Sequence, residues 1–161
     1  MSDWDAARAT AYLLRLVARR DYTRSEFDER LRRKGVAPAV RDAALARIAE
    51  LDLLDDRKVA EGHVRVRRDR KGRIALARDL ARRGVAEELR HEALAPLDDA
   101  QQEAAARAVV AKNAWRFASG DPFADRAKAA GFLARRGFPG EVVRAVLEDA
   151  FPDRHEPSDE A

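Results

Sequence analysis

The phrase Leu31-Arg32-Arg33-Lys34-Gly35-Val36 returns twice, as Leu80-Ala81-Arg82-Arg83-Gly84-Val85 and as Leu133-Ala134-Arg135-Arg136-Gly137-Phe138. A recurrence every fifty residues or so marks a chain built from copies of one helical module, each too small to bury its own core fully. The apolar frame around the phrase recurs with it. After each glycine stand Val40, Leu89 and Val142, and further on Ala44-Leu45, Ala93-Leu94 and Val146-Leu147. That spacing belongs to helices on both sides of a break. It predicts a helix ending in cations, a Gly in the left-handed cap conformation, an apolar residue, and then a second helix.

Each module has room for three helices. In the first, Trp4, Ala7, Ala11, Leu14 and Ala18 lie on one face of a helix from about Asp3 to Arg19. Thr23-Arg24-Ser25-Glu26 then has the form of a capping box, and Pro38 suits the first turn of the third helix. The second module reads as a long basic helix from about Asp55 to Asp69, a break at Lys71-Gly72, and helices near Ile74–Arg83 and Ala86–Leu94. In the third, a helix from Glu103 to Phe117 is followed by Asp121-Pro122, which starts the next helix. Trp115 is expected to be a core anchor of this module. Gly131, inside the eighth helix, is expected to mark close contact with a neighbouring helix. The last helix spans about Gly140 to Ala150.

These readings give an all-α fold of three tandem three-helix repeats, about nine helices, forming an elongated, curved array. The repeats are bounded as 1–54, 55–102 and 103–151. Residues 152–161 form a polar, proline-interrupted acidic tail expected to be disordered.

Composition narrows the function classes. Apolar residues are 46% of the chain, but Ala supplies much of that, so module cores must be thin and leave little room for an enclosed ligand. Without Cys there is no disulfide, thiol nucleophile or thiolate metal site, which fits a reducing, cytoplasmic setting. The acidic start Met1-Ser2-Asp3 is unlike a secretory signal, and no apolar stretch reaches membrane-spanning length.

Nothing points to catalysis, a metal or a cofactor. His63, His91 and His155 are far apart, and the glycines form neither a phosphate-cradling loop nor a dinucleotide fingerprint. The acid pairs Asp55-Asp56 and Asp98-Asp99 are explained as helix N-terminal charges.

The net charge of +3 conceals a dense mixture, 32 basic against 29 acidic residues. Its strongest local feature is Arg65, Arg67, Arg68, Arg70, Lys71 and Arg73, opposed only by Asp69. A helix cannot bury so many cations, and guanidiniums there can grip phosphates or bridge carboxylates. The cations of the repeated phrase, Arg32, Arg33 and Lys34, Arg82 and Arg83, and Arg135 and Arg136, sit in the last turn before a Gly cap. Helix-end stabilisation accounts for them, while three equivalent positions also make a spaced row suited to a periodic partner. The shortage of exposed aromatics speaks against single-stranded nucleic acid as the main target.

Taken together, the residues resemble the RecX family of bacterial regulators of the RecA recombinase. The likeness runs from about Ala6 to Phe151. It rests on Arg20-Asp21-Tyr22-Thr23 with Glu26 through Gly35, on Arg68 through Gly72 with Ile74, Leu80, Gly84 and Val85, and on Lys128 with Phe132 through Phe138 and Val142 through Leu147. Ala129-Ala130-Gly131 departs from it, because larger side chains are expected before the Phe-Leu pair.

The resemblance implies a monomeric regulator that binds the RecA filament on single-stranded DNA, lies in its helical groove across adjacent protomers, and impedes strand exchange, ATP hydrolysis and LexA co-cleavage. The alternative reading is a basic helical module that binds DNA directly, and weak direct DNA contact is compatible with either.

Overall fold

The computed structural model of the chain describes residues 3–152. The expected disorder of the tail therefore falls, beyond Pro152, outside the described residues. Among those residues there are nine α-helices, one 3₁₀ turn and no strand: α1 (Ala6–Val17), α2 (Arg24–Arg33), α3 (Pro38–Glu50), α4 (Asp56–Arg67), α5 (Arg73–Arg82), α6 (Glu87–Leu94), α7 (Asp99–Lys112), the 3₁₀ turn Ala114–Phe117, α8 (Pro122–Arg135) and α9 (Gly140–Ala150). They follow one another as three helix triplets.

The chain packs as two compact units. One runs to Arg65 and takes in Ala77–Ala95; the other takes Val66–Leu76 and resumes at Pro96.

The helix starts use the caps that the sequence offers. Thr23 Oγ1 accepts from the Glu26 amide at 3.1 Å while Glu26 Oε2 accepts from the Thr23 amide at 3.0 Å, closing the capping box. Asp5, Asp98 and Asp121 likewise accept first-turn amides of α1, α7 and α8, and Asp55 accepts from the Lys58 amide at 3.0 Å.

The repeated phrase forms the same stop three times. Val36, Val85 and Phe138 amides donate to the Leu31, Leu80 and Leu133 carbonyls at 3.1, 3.1 and 3.2 Å, and the glycine amides donate to Arg32, Ala81 and Ala134 at 3.0 Å each. Gly35, Gly84 and Gly137 have φ of 74°, 73° and 82°. This is the Schellman arrangement, in which the residue after the glycine folds back onto the residue that opens the last turn. All six of those apolar side chains are buried.

In the first unit α1 and α2 both pack on α3, and the core gathers Leu13, Tyr22, Phe27, Leu31, Leu45 and Ile48. In the second, α7 and α8 pack on α9 around Val109, Phe117, Phe132, Leu133, Phe138 and Val146. Fully buried alanines, Ala9 and Ala44 in one core and Ala106 and Ala129 in the other, fill space where larger side chains have no room.

Each unit also contains a seam between consecutive modules, and the two seams are equivalent. In the first, the α5 end meets the α2 start: Thr23 Oγ1 donates to the Arg83 carbonyl at 2.6 Å, and Arg83 Nη2 donates to the Asp21 carbonyl at 3.2 Å. In the second, the α8 end meets the α5 start: the Gly72 amide donates to the Arg136 carbonyl at 2.8 Å, the Ile74 amide to the Gly137 carbonyl at 3.1 Å, and Arg136 Nη1 to the Arg70 carbonyl at 3.1 Å. Arg83 and Arg136 hold the same place before their glycines, as do Thr23 and Gly72 before theirs.

Side-chain oxygens from the next module's first helix complete both seams. Asp56 Oδ1 accepts the Arg24 amide at 2.8 Å, and Gln102 Oε1 accepts the Arg73 amide at 2.7 Å.

Two expectations are corrected. Trp115 is not a core anchor: it lies off the buried stripe of α7 formed by Gln102, Ala105, Ala106, Val109 and Val110, and on the 3₁₀ turn after Lys112 its indole is 75% exposed while Phe117 takes the core position. Gly131 is not a site of close helix approach, since a Cβ there would meet only the guanidinium of Arg135 on its own helix.

Candidate functional site

Val59, Ala60 and Val64 fix the buried stripe of α4, which turns the intervening arginines to solvent. Arg65 lies exposed on that helix in the first unit. In the second unit Arg67, Arg68 and Arg70 are exposed, and the nearest carboxylate to any of them is Asp69, 4.0 Å from Arg68 Nε. Their backbone is anchored where the Arg70 and Arg68 carbonyls accept from Arg136 and from Gln101 Nε2, the latter at 3.3 Å. The segment therefore presents cations from a fixed support.

The other two members of the cluster are placed differently. Lys71 is half-buried. Arg73 reaches Asp99 Oδ1 at 2.7 Å, Glu141 Oε1 at 3.3 Å and the Leu97 carbonyl at 3.4 Å, so it ties together the α5 start, the α7 start and the α9 start.

The cations of the repeated phrase also divide by position. Arg32 and Arg33 both grip Glu29, at 2.7 and 2.8 Å, and these two guanidiniums hold its carboxyl down to about 2. Lys34 lies 5.7 Å from the Tyr12 ring centroid. Arg82 pairs with the buried carboxylate of Asp79, whose other oxygen is 3.2 Å from His63 Nε2. Arg83 and Arg136 are the seam residues described above, and Arg136 also lies 4.8 Å from the Phe132 ring centroid. Arg135 stands exposed, with no ion pair among the described residues.

Helix-end stabilisation is thus only part of what the phrase does. In the second and third modules its final arginine crosses to the module before. Nothing in the spacing along one module announces that contact, which spans 57 residues for Arg83 and Glu26. The available signal was the comparison between modules: a small residue, Thr23 or Gly72, at the equivalent place before the cap.

In the first unit the structure brings Arg33, Arg82 and Arg83 together with Arg20 and Arg30 around a cleft of about 290 Å³ that also exposes Ser25, Glu26 and Glu29. Both carboxylates are already bound by arginines, so the rim that remains is cationic and suited to carboxylate or phosphate groups.

Glu26 is the hub of that cleft. Burial works to raise its carboxyl, but the hydrogen bonds from Arg83 at 3.0 and 3.1 Å, the Thr23 amide and the charges of Arg83 and Arg20 outweigh it, and the net shift is downward. A carboxyl lowered in the folded state stabilises fully above its unfolded value of 4.5, and that contribution is lost as pH falls through the lower folded value. Glu26→Gln is therefore expected to unfold at a lower temperature than the parent at neutral pH, with the gap closing in acid. Thermal melts of both proteins from about pH 7 to about pH 3 check this; a gap independent of pH would refute it.

Family models for RecX match the chain in two places, the first three-helix domain at residues 9–47 and the third three-helix domain at residues 100–147. The regulatory protein RecX of Halorhodospira halophila is 42% identical over 146 residues, covering 87% of this chain and 86% of the relative. That of Chlorobium phaeobacteroides is 32% identical over 153 residues, 94% of this chain and 99% of the relative. Among solved structures, the crystal structure of RecX from Lactobacillus salivarius superposes with a TM-score of 0.80 over 90% of this chain and 96% of that one. At 20% identity, that likeness speaks to the fold.

Proposed function

The chain belongs to the RecX family of regulatory proteins, and from that premise we propose that it binds the RecA filament assembled on single-stranded DNA and inhibits its strand exchange, ATP hydrolysis and promotion of LexA cleavage. The reading rests on one observation above the others: similarity to proteins named as RecX regulators extends over most of the chain, and the family models span the caps at Gly35 and Gly137. In this reading the protein is a cytoplasmic, non-enzymatic monomer. Its three modules, bounded near residues 54 and 102, act as successive contacts along a polymer.

Several weak contacts on one chain reinforce each other, because each binding event raises the local concentration of the next. The contacts proposed are Arg67, Arg68 and Arg70 in one unit and, in the other, Arg65 with the cationic cleft that includes Arg33 and Arg82. Arg73, Arg83 and Arg136 serve the partner indirectly, by holding those surfaces in place.

The test is the ATPase of a RecA filament on single-stranded DNA. Hydrolysis is expected to fall as the protein is added and to reach a plateau at saturation; hydrolysis unaffected at saturation refutes the proposal. The solvent-facing arginines beside Asp69 also support the second reading, direct binding to DNA. If phosphates dominate, affinity for bare DNA should fall steeply with salt and match affinity for the filament. If RecA is the partner, the filament should be bound far more tightly than the same DNA alone.

A further inference from the structure

The third module carries an open cleft of about 370 Å³ lined by Trp115, Arg116, Phe117, Lys128, Phe132 and Arg135. No carboxylate among the described residues lines it. Its floor is the edge-to-face pair of Phe117 and Phe132, with ring centroids 5.5 Å apart, both largely withdrawn into the core. Trp115 stands at its side, 75% exposed, on a 3₁₀ turn held by the Arg116 amide donating to the Asn113 carbonyl at 2.9 Å.

The Arg116 guanidinium lies 5.2 Å from the Trp115 ring centroid and 5.4 Å from that of Phe132, so it is itself stacked in place. Lys128 and Arg135 make no ion pair among the described residues and point their charge at the same opening.

Leaving an indole this exposed costs hydrophobic stabilisation that burial would have supplied. An aromatic face, three cations and no acid form the combination that recognises a planar ring linked to phosphate. The volume lies in the range of sites that enclose small ligands. A neutral or acidic protein side chain would satisfy either the ring or the charges; a nucleotide satisfies both at once. The scarcity of exposed aromatics, which spoke against single strands, does not apply at this point of the surface.

We propose that this cleft takes an unpaired base of a single-stranded nucleic acid, stacked on Trp115 with the flanking phosphates held by Lys128 and Arg135. The inference rests on the direct nucleic-acid reading rather than the filament one, and it gives that reading a site: a strand that binds elsewhere without engaging Trp115 leaves that reading standing and overturns this one.

The protein has two tryptophans, and Trp4 packs against Tyr12 in the first unit, so the Trp4→Phe variant leaves Trp115 as the sole reporter. Titration of that variant with a short oligothymidylate at low salt, without RecA, is expected to quench its fluorescence as the strand binds. Trp115→Ala should weaken binding of a labelled strand about tenfold, while Trp115→Phe retains most of it. Being so exposed, the residue can be changed with helicity intact, as circular dichroism will verify.

An abasic strand of the same length should bind about tenfold more weakly and leave the fluorescence unchanged. The proposal is overturned if the strand does not bind, if it binds without quenching, if Trp115→Ala binds as tightly as the parent, or if the abasic strand or a duplex quenches equally.

Discussion

Gly72→Ala is expected to lower stability by at least about 3 kcal/mol, more than the same change at Gly84 or Gly35. An added methyl at Gly72 would fall on the carbonyl carbon and oxygen of Gly137 and on the amide nitrogen of Phe138, which are backbone atoms that cannot turn aside. It would also disturb the Gly72-to-Arg136 hydrogen bond on which the second seam closes.

The three capping glycines share a left-handed conformation, which costs an alanine roughly 1–2 kcal/mol wherever it is placed. Beyond that they differ. Alanine at Gly35 meets nothing within 4 Å; at Gly84 it meets the side chain of Ser25; at Gly137 it meets Ala75, including its backbone nitrogen. The expected damage is greatest at Gly72 and Gly137, where the methyl meets backbone, then at Gly84, then at Gly35. Urea or thermal unfolding of the four single variants measures it. Equal losses at Gly35 and Gly72 would show that the seam does not carry the load assigned to it.

Reversing Arg67, Arg68 and Arg70 together to Glu is expected to weaken binding to the RecA filament by about 2 kcal/mol, roughly thirtyfold, with a corresponding loss of ATPase inhibition. Each of the three lies in solvent and has at most a distant carboxylate, so the change removes attraction to a partner without breaking an internal pair. Far-ultraviolet circular dichroism and the melting temperature should stay near those of the parent.

The expected effect is smaller at high salt, because exposed charges are screened within about 8–10 Å at ordinary ionic strength. Filament affinity unchanged by the triple reversal, with the fold intact, removes this segment from the contact surface. Arg73 is unsuited to such a set, since its ties to Asp99 and Glu141 make its loss a structural event first.

What could be read from the sequence was whatever is decided within a turn or two of helix. The Schellman stops were legible because a left-handed Gly, a Leu opening the last turn and an apolar residue after the cap are all local signals. Thr23 and Glu26 announced their capping box for the same reason. The positions that escaped depend on partners remote in the chain.

Trp115 is the exception: the residues three, four and seven before it, Lys112, Ala111 and Ala108, lie on the exposed face of α7, so periodicity alone sets it outside the core, and the 3₁₀ turn keeps it there. The seam roles of Arg83 and Arg136 depend on a neighbouring module, and a cation in a last turn looks the same whether it faces water or another helix. Arg73, read as a member of a binding cluster, became an internal clamp because Asp99 and Glu141 are brought beside it only by folding.

The seams have a further consequence for how such a chain can evolve or be rebuilt. One is keyed by a threonine hydroxyl and the other by a bare glycine amide, offered to the equivalent carbonyls of Arg83 and Arg136. Copies descended from one ancestor have thus ceased to be interchangeable parts: each accepts only its own successor, and a shuffled or shortened arrangement would bring a side chain to a place cut for none.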